Sequence, residues 1–209
     1  SDIPLEVQRE FDSAAQRIEF RRGDVVYREG DLPRGLYFVE EGLIGLMLLG
    51  ATSGKEHLVR FFRRGQLFGH RALFSNEGYH GTATALEPTT LRMIDRTTLY
   101  RVLERFPQLY KEITVVLAKE LRRCEVQHVM ILENQILSRT AQALVYLKDL
   151  HPEHKWTRQE IANFSASTVS TIIKALAELE SMGLIRQEGR SIEILNREEL
   201  IALQDREGQ

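Results

Sequence analysis

Hydrophobic positions along this chain follow two rhythms, and the change falls near residue 107. Before it, short β-rich runs are separated by glycines at 23, 30, 42, 54, 65 and 69. The runs are VVY at 25–27, LYFV at 36–39, LIGLMLL at 43–49, HLVRFF at 57–62, TATAL at 82–86 and LRMI at 91–94. Strands of this length, with glycine-bearing turns about every 10 residues, predict a β-sandwich or barrel of the jelly-roll kind. Pro4 to Arg17 reads as a leading helix, and Thr97 to Arg105 as a short helix closed by Pro107.

After the change the spacing is helical. Tyr110, Leu117, Leu121, Cys124, His128 and Ile131 recur at intervals of seven, four, three, four and three, with Thr114 on the skipped step. A heptad stripe along a helix from about Pro107 to Leu132 predicts the seam of a parallel two-helix dimer. The alternative is docking of the same stripe on the β-domain, and Ile113 and Val116 widen the apolar face enough for both. Asn134 and Gln135 break the pattern, which places a hinge there. Ser138 to Leu150 is the next helix, and HPEHK at 151–155 is a loop.

The most informative segment is TRQEIANFSASTVSTIIKALAELESMGLI, at 157–185. Thr157 and Glu160 have the spacing of a capping box, in which each side chain satisfies the other's backbone N–H. Ile161 and Phe164 face inward from a short helix. Ser165, Ala166 and Ser167 allow a tight turn, and Thr168 caps a second helix. On that helix Ile172, Leu176 and Leu179 share a buried face, leaving Val169, Ser170, Ile173 and Lys174 outward. Two short helices followed by Gly183 and a hairpin have the organisation of a winged helix-turn-helix. Two amphipathic helices of a plain bundle are the alternative. The expected class is α+β, with a β-roll sensor domain at 1–106, a dimerisation helix and hinge at 107–135, and a winged helix-turn-helix DNA-binding domain at 136–209.

Composition narrows the function. The net charge is −2 and the pI about 6.3, which excludes a generic polyanion binder. From residue 138 onward there are 9 Lys+Arg against 11 Asp+Glu, so phosphate attraction must come from a local patch. Arg158, Lys174, Arg186 and Arg190 are the candidates. The single cysteine, Cys124, excludes an internal disulfide and an all-cysteine iron–sulfur or zinc site within one chain. No apolar run approaches the roughly 20 residues of a membrane span, and SDIPLEVQREF lacks a signal-peptide core, so a cytoplasmic, non-membrane protein is expected. No nucleophile elbow, P-loop or paired carboxylates on a recognisable scaffold point to an enzyme.

In this order, a glycine-spaced β-roll, a long helix and the 157–185 segment resemble the CRP/FNR superfamily of bacterial transcription regulators. RRGDVVYREGDLPRGLYFVEEGLIGL and RRGQLFGHRALFSNEGYHGTATAL resemble its cyclic nucleotide-binding β-roll and phosphate cassette. The resemblance implies a homodimer on a palindromic operator, with RNA polymerase as partner. It also exposes departures. Cyclic-AMP-binding members carry Gly-Glu early in the cassette and Arg-Ser late. Here Gly69 is kept, but His70 stands for the Glu, Tyr79 for the Arg and His80 for the Ser. The purine-contacting Thr-Ser pair corresponds to Cys124 and Glu125. Without the Arg, a cyclic phosphate loses its charge-assisted bidentate contact, so no cyclic AMP binding is expected.

His70, Arg71 and His80, preceded by His57, Arg60, Arg63 and Arg64, offer a small anionic effector an alternative site; surface or packing histidines are the competing reading. Haem is a lesser candidate, with His70, His80, Cys124 and His128 as ligands outside any specific motif. His151 and His154 have zinc-like spacing without a cysteine partner and are read as solvated, with no metal. On the reading helix the family's FNR branch resembles TVETISR. In this chain Ser170 replaces the Glu, Ile173 the Ser and Lys174 the Arg, which predicts an altered operator. The DNA-facing set is Arg158, Thr168, Val169, Ser170, Thr171, Ile173, Lys174 and Arg190. The alternative function is a degenerate effector module acting through protein contacts without specific DNA binding.

Overall fold

A computed structural model of the protein describes residues 5–51, 54, 56–133 and 135–203. The expected hinge residue Asn134 and the side chain of Ile131 lie outside the described residues, as does Pro4. The chain divides into two compact units, Ser1–Leu121 and Arg122–Gln209, so the division falls within the long helix.

The first unit begins with α1 (Leu5–Ala14) and continues through β1 (Gln16–Phe20), β2 (Val25–Tyr27), β3 (Gly35–Glu41), β4 (Leu43–Leu49), β5 (Glu56–Arg63) and β6 (Leu67–Phe68). Then come α2 (His70–Ser75), β7 (Thr82–Ala85), β8 (Thr89–Asp95), α3 (Arg96–Arg105) and the start of α4 (Leu109–Glu133). The strands form two four-stranded antiparallel sheets, ordered β1-β8-β3-β6 and β2-β7-β4-β5. Between them lies a core that includes Tyr27, Tyr37, Ile44, Phe62, Phe68 and Leu91. A second cluster, with Val7, Leu36, Leu99, Val102, Leu103 and Leu109, packs the helices against the first sheet.

Besides the two-residue strand β6, two elements here were not foreseen. The leading helix stops at Ala14 and its expected last turn is the strand β1, paired in register from Gln16↔Met93 to Phe20↔Thr89. QRIEF alternates only weakly, and ladder hydrogen bonds to β8 decide its state. The other is α2, a six-residue helix too short to show a period of its own.

The second unit contains the rest of α4, then α5 (Ile136–Leu150), α6 (Arg158–Phe164), α7 (Val169–Ser181), β9 (Ile185–Glu188), β10 (Ser191–Ile194) and α8 (Arg197–Ala202). Its buried side chains include Leu144, Leu147, Ile161, Ile172, Leu176, Leu179, Ile192 and Leu200. The unforeseen α8 is capped by Asn196, whose Oδ1 accepts from Glu199 N at 3.1 Å, and Ser138 Oγ ties it to α5 by donating to Leu203 O at 3.0 Å. NREEL carried that capping signal.

Candidate DNA-reading surface and sensor cavity

The helix-turn-helix is built as its sequence dictates. Thr157 Oγ1 accepts from Glu160 N at 3.1 Å while Glu160 Oε2 accepts from Thr157 N at 2.7 Å, completing the capping box at the start of α6. The turn into α7 passes through Ala166 in the left-handed region, at φ 50°. Thr168 Oγ1 then accepts from Thr171 N at 3.2 Å and caps α7. Ile172, Leu176 and Leu179 are wholly buried. Ser170, Ile173 and Lys174 are exposed, and Val169 and Thr171 are half-buried. Phe164 is only half-buried, stacked on Tyr146 with ring centroids 5.2 Å apart.

Two expected phosphate ligands have other duties. Arg158 donates from Nη1 to Arg190 O at 3.0 Å and from Nη2 to Gln187 Oε1 at 2.7 Å. Gln187 N and Nε2 in turn donate to Glu180, at 2.6 and 3.0 Å. Arg158 therefore braces the β9–β10 wing against α6 with two of its five N–H donors. Arg186 pairs with Glu193 at 3.4 Å across the wing. Arg190 and Lys174 are exposed.

His154 corrects the expectation of a solvated loop. It is 5% exposed, its Nε2 lies 3.3 Å from Glu160 Oε2, and its ring meets Trp156 edge-on at 4.4 Å. Burial works to raise the Glu160 carboxyl, but the His154 hydrogen bond and the Thr157 N–H outweigh it and hold the carboxyl below its usual range. The sequence signal was Trp156, whose burial draws the preceding loop inward.

In the β-roll, Gly69 has φ 86°, and a Cβ there would lie 3.1 Å from Tyr37 Cδ2 and 3.2 Å from Gly35 O. This backbone sends the chain into α2 and turns His70 and Arg71 toward a cavity also lined by Tyr27, Arg60, Tyr79, His80 and Glu120. The cavity measures only about 20 Å³, room for roughly one water. Tyr79, 3% exposed, stacks on Tyr27 with centroids 3.5 Å apart and an interplanar angle of 10°. Burial pushes both phenols up, so they stay neutral. His80 is exposed at the rim and is held below the usual imidazole range by partial burial and by Arg71.

Glu120, on α4, was not among the expected pocket residues. Its Oε2 accepts from His70 Nε2 at 3.1 Å and Arg71 Nε at 3.2 Å, and its Oε1 accepts from Arg60 Nη2. Burial alone would raise the Glu120 carboxyl, but the His70 hydrogen bond and the His70, Arg60 and Arg71 charges lower it to about 2. Cys124 and Glu125, expected at the pocket, are exposed and belong to the second unit. The position one helical turn before Cys124 supplies the cavity instead. Its signal was a lone Glu on a face otherwise shared by Ile113 and Val116. His57 is half-buried on β5, and Arg63 and Arg64 are exposed.

Along α4 the expected seam is open to solvent in the single chain. Leu121 is 61% and Tyr110 44% exposed, Thr114, Cys124 and His128 are exposed, and Leu117 is half-buried. Among the described residues no helix is long and apolar enough to cross a membrane.

Comparison with known proteins agrees with this architecture. Residues 17–106 match the cyclic nucleotide-binding domain and residues 138–203 the Crp-like helix-turn-helix domain. A CRP-like cAMP-activated global transcriptional regulator of Mycobacterium tuberculosis is 27% identical over 194 residues, covering 88% of this chain and 86% of that protein. The transcriptional regulator LdrP of Thermus thermophilus is 29% identical over 191 residues, covering 85% and 91%. Among solved structures, a CRP/FNR family regulator from Thermus thermophilus superposes with a TM-score of 0.77 at 26% identity, covering 91% of this chain and 98% of that one. FixK2 from Bradyrhizobium japonicum has the same fold, with a TM-score of 0.80 at 23% identity over 90% and 96%. With both domains matched in this order, and relatives matched along most of its length, the chain belongs to the CRP/FNR superfamily of DNA-binding transcription regulators.

Proposed function

We propose that the protein is a homodimeric, operator-specific transcription regulator that does not respond to cyclic AMP. The observation that carries DNA reading is α7, whose capped N-terminal half presents Thr168, Ser170, Ile173 and Lys174 to solvent over a fully buried Ile172, Leu176 and Leu179. A helix N-terminus of this kind enters a major groove, and a palindrome needs two of them roughly 34 Å apart. The open stripe on α4 supplies the pairing. Thr168 Oγ1 lies within hydrogen-bond distance of the Ser170 and Thr171 hydroxyls, at 2.9 and 2.8 Å. Ile173 and Lys174 are therefore the main readers, one suited to a thymine methyl and the other to guanine or phosphate. RNA polymerase is the further partner that family membership suggests.

Insensitivity to cyclic AMP is supported by the cavity. Small-molecule sites usually offer about 300–1,000 Å³, whereas this one keeps about 20 Å³ behind the Tyr27–Tyr79 stack. Selection of bound duplexes from a random pool by the purified protein tests the function. Enrichment of a palindrome with half-sites about one turn apart is expected, and a pool without enrichment would refute specific DNA reading.

A further inference from the structure

The Arg60, His70 and Arg71 donors come from β5 and the first turn of α2, and the carboxylate they share arrives 50 residues beyond His70 on α4. Glu120 is 4% exposed and His70 2%. A carboxylate at that depth is costly unless its lone pairs are matched, and the largely buried Arg60 guanidinium beside a buried imidazole is costly without an anion. The group is complete only with one anion in it.

We propose that Arg60, His70 and Arg71 form a carboxylate-binding site whose ligand is the chain's own Glu120, so that α4 is clasped to the β-roll without any bound effector. The cavity beside it leaves room for roughly one water. His70 Nδ1 is buried without a hydrogen-bond partner among the described residues. Glu120 is thus a positioning residue. The consequence for DNA, which rests on the function proposed above, is that operator binding needs no small molecule.

Removing the internal ligand exposes the site to an external one. Glu120→Ala vacates the carboxylate position and leaves the three donors. Sodium formate should raise the thermal midpoint of Glu120→Ala above its value in sodium chloride at equal ionic strength, and leave wild type unchanged. Glu120→Gln, which still fills the space, should gain nothing from formate. On the selected duplex, Glu120→Ala should bind about tenfold or more weakly, and formate should restore most of the loss. Absence of a formate-specific effect on Glu120→Ala, or an equal effect on wild type, overturns the proposal. If Glu120→Ala folds only in formate the site is supported, and if it folds in neither salt the proposal fails. The melting measurement needs no DNA, so it decides this site even where the duplex selection has refuted DNA reading.

Discussion

Glu120 sets the chemistry of the first unit at the scale of single residues. Its carboxyl sits at about 2 against an ordinary 4.5, because the His70, Arg60 and Arg71 contacts outweigh burial. A group depressed on folding contributes stability above its unfolded value and loses it as the pH falls toward the folded one. The stability difference between wild type and Glu120→Gln should therefore be flat above about pH 5 and shrink from 4.5 toward 2, as followed by urea unfolding. A difference that stays constant down to pH 2.5 contradicts the ion cluster. Gly69 is constrained by its backbone conformation and its neighbours. Gly69→Ala combines a positive φ with contacts near 3.1 Å, so a loss of about 1–3 kcal/mol in denaturant unfolding is expected.

Among the elements, α7 and α4 carry the surfaces on which the proposed DNA and dimer contacts depend. Lys174→Ala should weaken operator binding by about 1–3 kcal/mol on duplexes that keep the preferred guanine, and by less on those that lack it. Gel-shift titration over a panel of duplexes reads this directly. A uniform loss assigns Lys174 to phosphate, and no loss removes it from the interface. The wing is braced by Arg158 through Arg190 O and Gln187, so α6 and β9–β10 present one surface. On α4, Leu121 is the most exposed apolar member of the expected seam among the described residues, with Val126 and Val129 also open at 53% and 48%. Leu121→Arg should shift sedimentation equilibrium to the monomer, because the heptad pairs each position with its own symmetry mate. A variant that sediments as wild type does places the dimer contact elsewhere.

At the scale of the whole molecule, a sensor fold is joined to a DNA-reading fold, and the sensor cavity is closed by side chains of its own. The stacked Tyr27 and Tyr79 line it, and Glu120 meets His70 and Arg71 beside them. Calorimetric titration with cyclic AMP and cyclic GMP should show no saturable binding below about millimolar. A micromolar dissociation constant would mean that the stack opens on binding and that the cavity still admits a nucleotide. The net charge of −2 bears on the other half, since operator binding must depend on a few placed cations and not on a broad basic field.

The order of β-roll, long helix and helix-turn-helix, the capping box and the buried stripe of α7 were legible in the sequence, because each depends on residues within a few positions of one another. Thr157 with Glu160, or Ile172 with Leu176 and Leu179, needs no distant partner to have meaning. The rest was decided by contacts between remote segments. Strand β1 exists because β8 lies beside it. The meaning of His70 and Tyr79 changed most. Read along the chain they were losses from a nucleotide site, leaving it empty. Folded, Tyr79 stacks on Tyr27 from β2, and His70 meets a carboxylate from α4. No local pattern encodes those pairings, since buried charge and aromatic volume are satisfied only by what the tertiary fold brings to them.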